Sequence, residues 1–299
     1  MSAVPASYLG VILIWATTPL AIKWSAQGYD FSFAVFARML IGMLLCVALL
    51  PLLRVALPRD RRSLIAYGGA GVTVFLTLAS TYWAALYVPS GLISVIYGLT
   101  PLITAILAAR FLHERSLTPI KVIGMVLGFS GLALIFLSPA TLELKRLEGL
   151  GMLLFAVTAQ AAGAIFLKRH SSHLHPLALN TGSLMVAVPL FLLVWLLSSS
   201  HSGNVLQVEP RAQWAVLYLA IFGTVVGFNL YYYLLKRLPA SAVALITLVT
   251  PVLAMLIGVT LNGELIGPRV ALGAAIILVG LACHQGGEWF IDRRSARRL

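Results

Sequence analysis

The amino-acid sequence predicts an all-α integral membrane protein with ten transmembrane helices, built as two inverted five-helix repeats. Three observations lead to this prediction. The composition is too apolar for a water-soluble protein, ten apolar segments are long enough to span a bilayer, and a sequence pattern recurs at an offset of 150 residues. We therefore expect a first repeat at residues 1–138, a second at 139–288, and a basic cytoplasmic tail at 289–299.

The composition excludes a soluble fold. Of the 299 residues, 60% are hydrophobic and 10% are charged, whereas soluble proteins carry about 25% charged residues. The net charge of +12 does not indicate nucleic-acid binding, because the basic residues lie between the apolar segments, where they set membrane orientation. Cys46 and Cys283 lie inside apolar segments, so we expect buried thiols rather than a disulfide framework.

Charged residues, Pro and Gly delimit the ten apolar segments, each of which is long enough for a transmembrane helix. The first segment has no basic region before it and continues past Pro19 to Lys23, so we interpret it as a retained helix rather than a cleaved signal peptide. In chain order the segments are Tyr8–Ser25, Phe33–Leu53, Ile65–Leu86, Ser90–Leu112, Pro119–Leu137, Leu147–Leu167, Leu177–Leu197, Gln213–Leu235, Ala240–Leu261 and Arg269–His284.

The distribution of Lys and Arg predicts the orientation of the bundle. If the N-terminus is cytoplasmic, fifteen basic residues fall in the inside connections and the tail, and five fall in the outside connections. Inside connections of membrane proteins carry the excess of Lys and Arg. We therefore expect both termini to be cytoplasmic.

An internal repeat places Tyr87–Leu137 over the sequence 150 residues further on, without a gap. Each repeat holds five segments, an odd number, so the second must enter the membrane from the opposite side. Inverted repeats with a binding site near the midplane are typical of secondary transporters. The positions that coincide are Pro89 with Pro239, Thr100 and Pro101 with Thr250 and Pro251, and Glu114 with Glu264.

The carboxylates lie in connections or at the ends of segments, and none falls in the middle of a span. Ion-coupled carriers commonly place a carboxylate inside the membrane. The sequence therefore favours facilitated diffusion, or coupling by another route, over a Glu-based cation/proton antiporter. The nine acids are Asp30, Asp60, Glu114, Glu143, Glu148, Glu209, Glu264, Glu288 and Asp292.

Arg38 is the one basic residue placed clearly inside a span. It has two interpretations, which the sequence leaves open. It could anchor a substrate carboxylate or phosphate through bidentate hydrogen bonds. It could instead be a structural arginine that ties helix ends together through backbone carbonyls.

Polar and aromatic residues recur at helical spacing on several spans, which favours a neutral, aromatic-lined central cavity. Helix packing is the alternative interpretation for any single residue. We predict that six residues bind substrate by stacking and neutral hydrogen bonds: Trp15, Tyr82, Tyr97, Gln160, Asn229 and Tyr232. Each mid-span Pro frees a backbone carbonyl, so four residues are predicted as hinge or gate elements: Thr100, Pro101, Thr250 and Pro251.

Catalytic and metal-binding motifs are missing from the sequence. It contains no HExxH, GxSxG or GxxxxGK[ST] pattern, which are the signatures of zinc hydrolysis, acyl transfer and phosphate binding. His170, His173 and His175 lie in a short connection without partner ligands, so we interpret them as a solvated loop. We expect no enzyme activity, no catalytic residue, no metal and no cofactor.

The two repeat segments resemble a known module. YVPSGLISVIYGLTPLITAILAARFLHERS and RLPASAVALITLVTPVLAMLIGVTLNGELI, each followed by a Gly-rich helix, are similar to the two copies of the EamA module of the drug/metabolite transporter superfamily. Arg38 matches an arginine common in the second span of that family. The resemblance covers nearly the whole chain and implies ten helices, cytoplasmic termini and export of small metabolites, often amino acids, across a bacterial inner membrane.

Within the superfamily, the chain most resembles the amino-acid exporters, including those for aromatic amino acids. The four-helix multidrug members use a membrane-embedded Glu in the first span, and the first span here, WATTPLAI, has none. This departure puts their proton-exchange mechanism in doubt for this chain.

The function expected from the sequence is export of small neutral or zwitterionic metabolites by alternating access around a central cavity. The expected partners are a small-molecule substrate and the lipid bilayer, without nucleic acid, and a monomer would suffice. A sugar-phosphate or nucleotide-sugar carrier is one alternative, although it would need several inward-facing cations and only Arg38 is available. A membrane-embedded transferase is another, and it would need a cluster of acids or metal ligands.

Overall fold

The computed structural model describes residues 4–111, 119–137, 144–198, 209–238, 243 and 246–296. Within these ranges the regular structure is helical throughout. Six helices are long and apolar enough to cross a membrane, and four shorter apolar helices lie at the remaining predicted spans. The predicted all-α membrane fold with ten spanning helices is therefore confirmed.

Five spans form the first half of the chain, and the fourth of them is broken into two helices. The helices of the first half are α1 Val4–Gly28, α2 Phe31–Leu52, α3 Arg61–Ala85, α4 Ser90–Tyr97, α5 Thr100–Phe111 and α6 Pro119–Phe136.

The second half repeats this arrangement with two differences. A π-helical segment at Leu219–Val226 joins two helices into a single span, and the described part of the fourth span is one helix instead of two. The helices are α7 Leu144–His170, α8 Pro176–Leu197, α9 Pro210–Tyr218, α10 Gly227–Arg237, α11 Ile246–Asn262 and α12 Pro268–Ala296. The last helix is longer than the apolar segment that predicts it, because its backbone stays helical beyond His284 and into the basic tail.

Helix starts follow from capping chemistry. Asp30 precedes α2 and accepts a hydrogen bond from Ser32 N at 2.9 Å, and Asp60 precedes α3 and accepts one from Ser63 N at 3.1 Å. Such side-chain acceptors satisfy N–H groups that the first helical turn leaves free. Hydrogen bonds from the Ser63 hydroxyl and then from its N–H lower the pKa of the Asp60 carboxyl below its ordinary value.

The two halves run in opposite directions through the membrane. Lys23, near the end of α1, donates to Val88 O at 3.3 Å. Gly149, near the start of α7, lies against the same residue, since a Cβ placed on it would be 2.9 Å from Val88 Cγ2. The first helix of one half therefore ends where the first helix of the other half begins, as an inverted repeat requires.

The last helices of the two halves, α6 and α12, contact each other through backbone. A Cβ at Gly131 would lie 2.5 Å from Gly273 O, and a Cβ at Gly273 would lie 2.7 Å from Gly131 O. Further along, a Cβ at Gly280 would lie 2.6 Å from Gly124 O. Small residues permit this close approach of helices in lipid, and we call this contact the glycine seam.

Candidate functional site

A central cavity of about 150 Å³ lies between spans of both halves. Its described lining combines aromatic and hydroxyl side chains and contains no Asp or Glu. The aromatic residues are Trp15, Tyr97, Phe228, Tyr231 and Tyr232. The hydroxyl residues are Thr18, Thr73, Thr77, Thr81, Ser94, Thr100 and Thr250.

Four of the six predicted substrate-binding residues line this cavity: Trp15, Tyr97, Gln160 and Tyr232. The Tyr97 hydroxyl is 2.5 Å from Thr81 Oγ1, which links α4 to α3. The ring of Trp15 lies 5.1 Å from the ring of Tyr231, centroid to centroid, which links α1 to α10. The cavity is thus bounded by aromatic side chains that contact neighbouring helices, and the Trp15–Tyr231 contact joins the two halves.

The other two predicted residues, Tyr82 and Asn229, are not among the lining residues. Tyr82 is fully buried, and its hydroxyl lies 3.5 Å from Arg38 Nη1, behind the cavity wall. Asn229 donates from Nδ2 to Val225 O of its own helix at 2.6 Å. Tyr82 therefore contacts the site through Arg38, whereas the amide nitrogen of Asn229 is bonded within its own span.

Several lining residues lie outside the six that the sequence predicts to bind substrate. Thr73 and Thr77 line the cavity from one face of α3. Their spacing of four residues predicts that they share a face of the helix. Phe228 and Tyr231 follow the π-helical segment, which has more residues per turn than an α-helix. Such a segment shifts the α-helical spacing of the residues that follow it, so the sequence pattern predicts Tyr232 but not Phe228.

Arg38 is the charged residue of the described lining. It is 1% exposed, its Nε donates to Thr224 Oγ1 at 3.0 Å, and its guanidinium carbon lies 5.9 Å from the ring centroid of Tyr82. The ion pairs found among the described residues are Lys23–Glu264 and Lys145–Glu148. Arg38 is therefore held by neutral groups and belongs to neither ion pair.

The two predicted hinge elements have different structures. Pro101 cannot donate to Tyr97 O, and Thr100 Oγ1 donates to that carbonyl instead, at 2.6 Å. The chain is not α-helical at residues 98 and 99, so the first element is a break between α4 and α5. Pro251, in contrast, lies inside the continuous helix α11. Thr100 and Thr250 both line the cavity, whereas Pro101 and Pro251 are buried beside it.

Glu264 joins three parts of the bundle at one end, which we call the Glu264 end. Gly263 terminates α11 in the left-handed conformation, with φ of +60°, as is common for a glycine after a helix. The carboxylate that follows accepts hydrogen bonds from Ser90 N at 3.0 Å and Gly91 N at 3.3 Å, the first residues of α4. Lys23 of α1 lies 3.6 Å from the same carboxylate.

The environment of Glu264 keeps it ionised. Burial acts to raise the pKa of this carboxyl. The Ser90 hydrogen bonds and the positive charge of Lys23 together outweigh burial, so the pKa lies below its ordinary value. A charged carboxylate at this position also interacts favourably with the N-terminus of α4.

A second set of contacts closes the Glu264 end. Asn262 Oδ1 accepts from Trp24 Nε1 at 2.8 Å and from Arg211 Nη2 at 3.3 Å. The guanidinium carbon of Arg211 lies 3.9 Å from the Trp24 ring centroid, within the range of a cation–π interaction. Helices α1, α9 and α11 are therefore tied together on this side of the cavity. The predicted partner of Glu264 in the first half, Glu114, lies outside the described residues.

The amino-acid sequence matches the EamA-like transporter family over residues 6–137 and 147–284. This chain belongs to that family. The two matched stretches correspond to the two five-span halves of the structure, so the chain carries two copies of the EamA module.

Three relatives of this EamA-like transporter match it over nearly their whole length. An uncharacterized transporter from Archaeoglobus fulgidus is 26% identical over 271 residues, covering 90% of this chain and 94% of the relative. A protein from Streptantibioticus cattleyicolor, named "probable terminal-alkyne amino-acid exporter", is 27% identical and covers 96% and 92%. A Salmonella typhimurium protein, named "probable amino-acid metabolite efflux pump", is 28% identical and covers 96% and 95%.

A crystal structure of another protein has the same fold. It superposes with a TM-score of 0.67 over 95% of this chain and 96% of the other, at 20% sequence identity. The superposition supports the fold, and the family membership identifies the chain as a membrane transporter rather than an enzyme.

Proposed function

We propose that this EamA-like transporter exports small neutral or zwitterionic metabolites, most of all aromatic or other neutral amino acids, by alternating access. The observation that carries this proposal is the lining of the central cavity, in which aromatic rings and hydroxyl groups surround a single described charge. Aromatic rings stack on apolar side chains, and hydroxyl groups hydrogen-bond to either end of an amino acid. The names of the Streptantibioticus and Salmonella relatives support the same class.

Specific roles follow for the lining residues. In the proposal, Trp15, Tyr97 and Tyr232 contact the apolar part of the substrate, and Gln160 supplies a neutral hydrogen bond. The Thr-Pro elements at residues 100–101 and 250–251 act as hinge or gate. A Cβ at Gly98 would lie 3.6 Å from Pro251 Cγ, so the two elements lie side by side and can move together.

The proposed location is a bacterial inner membrane with both termini cytoplasmic and with a monomer sufficient for transport. The excess of Lys and Arg in the connections that share a side with the N-terminus supports this orientation. The Salmonella and Streptantibioticus relatives are bacterial proteins. In this orientation the Glu264 end faces outward.

Flux through purified protein in liposomes tests the proposal. Vesicles are loaded with a mixture of neutral, aromatic, acidic and basic amino acids, and efflux is followed with and without an imposed pH gradient. We expect downhill efflux of the neutral and aromatic amino acids that does not depend on the gradient, since the described lining offers no carboxylate to carry a proton. If no amino acid leaves faster than from protein-free vesicles, the proposal is wrong.

A sugar-phosphate or nucleotide-sugar carrier is the second candidate. A dianionic phosphate group is bound by several Lys or Arg side chains. Arg38 is the one basic residue of the described lining, so the cavity is better suited to a substrate with one carboxylate. Efflux of a hexose phosphate in the same vesicles would favour this candidate instead.

A further inference from the structure

Arg38 has hydrogen-bonding capacity that its described neighbours leave unused. A guanidinium carries five N–H donors. Among the described residues, Nε donates to Thr224 Oγ1 at 3.0 Å, and Nη1 makes one long contact of 3.5 Å to the Tyr82 hydroxyl. No hydrogen bond from Nη2 to a described residue is present. With respect to the described residues, several N–H groups of the planar Arg38 guanidinium are therefore free to bind a carboxylate.

The charge of Arg38 is also unbalanced within the described part of the structure. The residue is 1% exposed and faces a cavity whose described lining holds no carboxylate. Placing an uncompensated charge in a low-dielectric interior is costly, and ionisable side chains inside membrane helices mark substrate or ion pathways. A purely structural arginine would instead have its donors filled by backbone carbonyls or by an acid.

A second cavity carries positive charge beside the central one. It is lined by Lys168 and Lys236, and it shares two of its residues, Leu167 and Tyr232, with the central cavity. The two cavities therefore adjoin at the end of the bundle opposite Glu264. Clefts lined by one sign of charge raise the local concentration of the opposite ion, so this end favours approach of an anionic group.

We propose that Arg38 is the subsite for a single carboxylate of the substrate, and that the substrate ammonium group is not required for binding. This inference rests on the proposed function, requires the carboxylate, and extends the substrate class to singly charged carboxylates that lack an ammonium group. The carboxylate would take the unused N–H groups of Arg38 and balance its charge. An ammonium group would find only aromatic faces and neutral oxygens in the described lining. Small carboxylates with an apolar or aromatic body are therefore the expected substrate class, with amino acids as one member.

Three ligands of similar size distinguish the contribution of the carboxylate to binding from that of the ammonium group. Purified wild-type protein is titrated calorimetrically with phenylalanine, with 3-phenylpropionate, which lacks the ammonium group, and with phenethylamine, which lacks the carboxylate. We expect the first two to bind within about threefold of each other, and phenethylamine to bind at least about tenfold more weakly, because it forgoes a charge-assisted bidentate pair. Leucine, 4-methylpentanoate and isopentylamine repeat the comparison with an aliphatic body.

Variants then assign the preference to Arg38. Arg38→Gln should weaken the binding of phenylalanine and 3-phenylpropionate by about 10- to 100-fold and leave the affinity for phenethylamine unchanged. Arg38→Lys should retain part of the affinity, since it keeps the charge but not the fork. Lys145→Gln is the matched control, because Lys145 is exposed and lies outside the lining. If Arg38→Gln is not monodisperse, Arg38→Lys and the wild-type ranking carry the test.

The outcomes separate this inference from the proposed function. If wild type binds phenethylamine as tightly as 3-phenylpropionate, or if Arg38→Gln weakens all three ligands equally, the carboxylate subsite is wrong. If amino acids leave the vesicles but phenethylamine binds as tightly as the carboxylates, only the carboxylate subsite is wrong and the proposed export stands. The ligand ranking without efflux would support the subsite and overturn the proposed export.

Discussion

Glu264 and Lys23 form an ion pair with 3.6 Å between carboxylate oxygen and ammonium nitrogen, in which the two side chains are only 6% and 13% exposed. The same carboxylate caps α4 through Ser90 and Gly91. One side chain of the second half therefore fixes two helices of the first half.

Removing this charge should destabilise the protein. Glu264→Gln keeps the shape of the side chain but leaves Lys23 without its partner, so we expect a loss of about 1–3 kcal/mol in the free energy of unfolding. Thermal unfolding in detergent measures the change. Glu148→Gln is the control, because its pair with Lys145 is exposed and such pairs contribute roughly 0–1 kcal/mol. Equal shifts for the two variants would contradict the assignment.

The stability that Glu264 contributes should depend on pH in a defined direction. Its pKa in the folded protein lies below the ordinary carboxyl value, so its contribution is present above that ordinary value and is lost as the pH falls through the folded pKa. The difference in melting temperature between wild type and Glu264→Gln should be constant from about pH 6 to 8 and shrink below about pH 4.5. A difference that widens on acidification would show the opposite linkage.

The glycine seam should not tolerate a methyl group. In Gly273→Ala the new Cβ would lie 2.7 Å from Gly131 O, and backbone must move to relieve the contact. We expect destabilisation of about 1–3 kcal/mol. Gly151→Ala on α7 is the control, because nothing lies within 4 Å of its Cβ position, and alanine there should stabilise the helix by about 0.5–1 kcal/mol. Similar melting temperatures for both variants would argue against a tight seam.

Removing an aromatic ring from the cavity should affect transport more than removing one from the periphery. Trp15→Ala removes a ring that lines the cavity and contacts Tyr231, so we expect amino-acid efflux to fall about 3- to 10-fold from lost stacking. Trp214→Ala removes a ring that is 70% exposed on α9 and should leave efflux unchanged. Both variants are compared at equal reconstituted amounts, and an equal decrease in both would remove Trp15 from the proposed site.

The two Thr-Pro elements should respond differently to alanine. Pro251 lies inside α11, where it removes a helix hydrogen bond at a cost of about 3 kcal/mol, so Pro251→Ala should raise the melting temperature and slow efflux. Pro101 is the second residue of α5, where the missing N–H would have no helical acceptor. Pro101→Ala should therefore change both quantities little. A larger loss of efflux in Pro101→Ala than in Pro251→Ala would contradict this difference between the two proposed hinge elements.

The positions of the helices could be predicted from sequence because the lengths of apolar segments and their polar connections are local properties. Each of the ten predicted segments overlaps a described helix. The break before Thr100 could not be predicted from the sequence. The same Thr-Pro pair occurs at Thr250, and the helix there is continuous. The difference depends on how Thr100 Oγ1 replaces the missing donor, which the sequence does not specify.

Most of the correctly predicted lining residues lie where the helices are regular, and Tyr232 is the exception after the π-helical segment. Trp15, Tyr97 and Gln160 lie on α-helices whose spacing identifies the inner face. Asn229 follows the π-helical segment, and one added residue rotates everything after it by about 100°. Contacts such as Glu264 with Ser90 join residues far apart in the chain, so no local pattern predicts them.

The glycine seam also bears on the smallest unit that can be stable. A five-span fragment ending with α6 would present the bare backbone around Gly124 and Gly131 to lipid, with no side chain to cover it. Such a fragment could fill that strip only by meeting a second copy, and its assembly would depend on concentration. Joining both copies in one polypeptide replaces that encounter with an intramolecular contact of high effective concentration. The single chain thus supplies both faces of the glycine seam at any expression level.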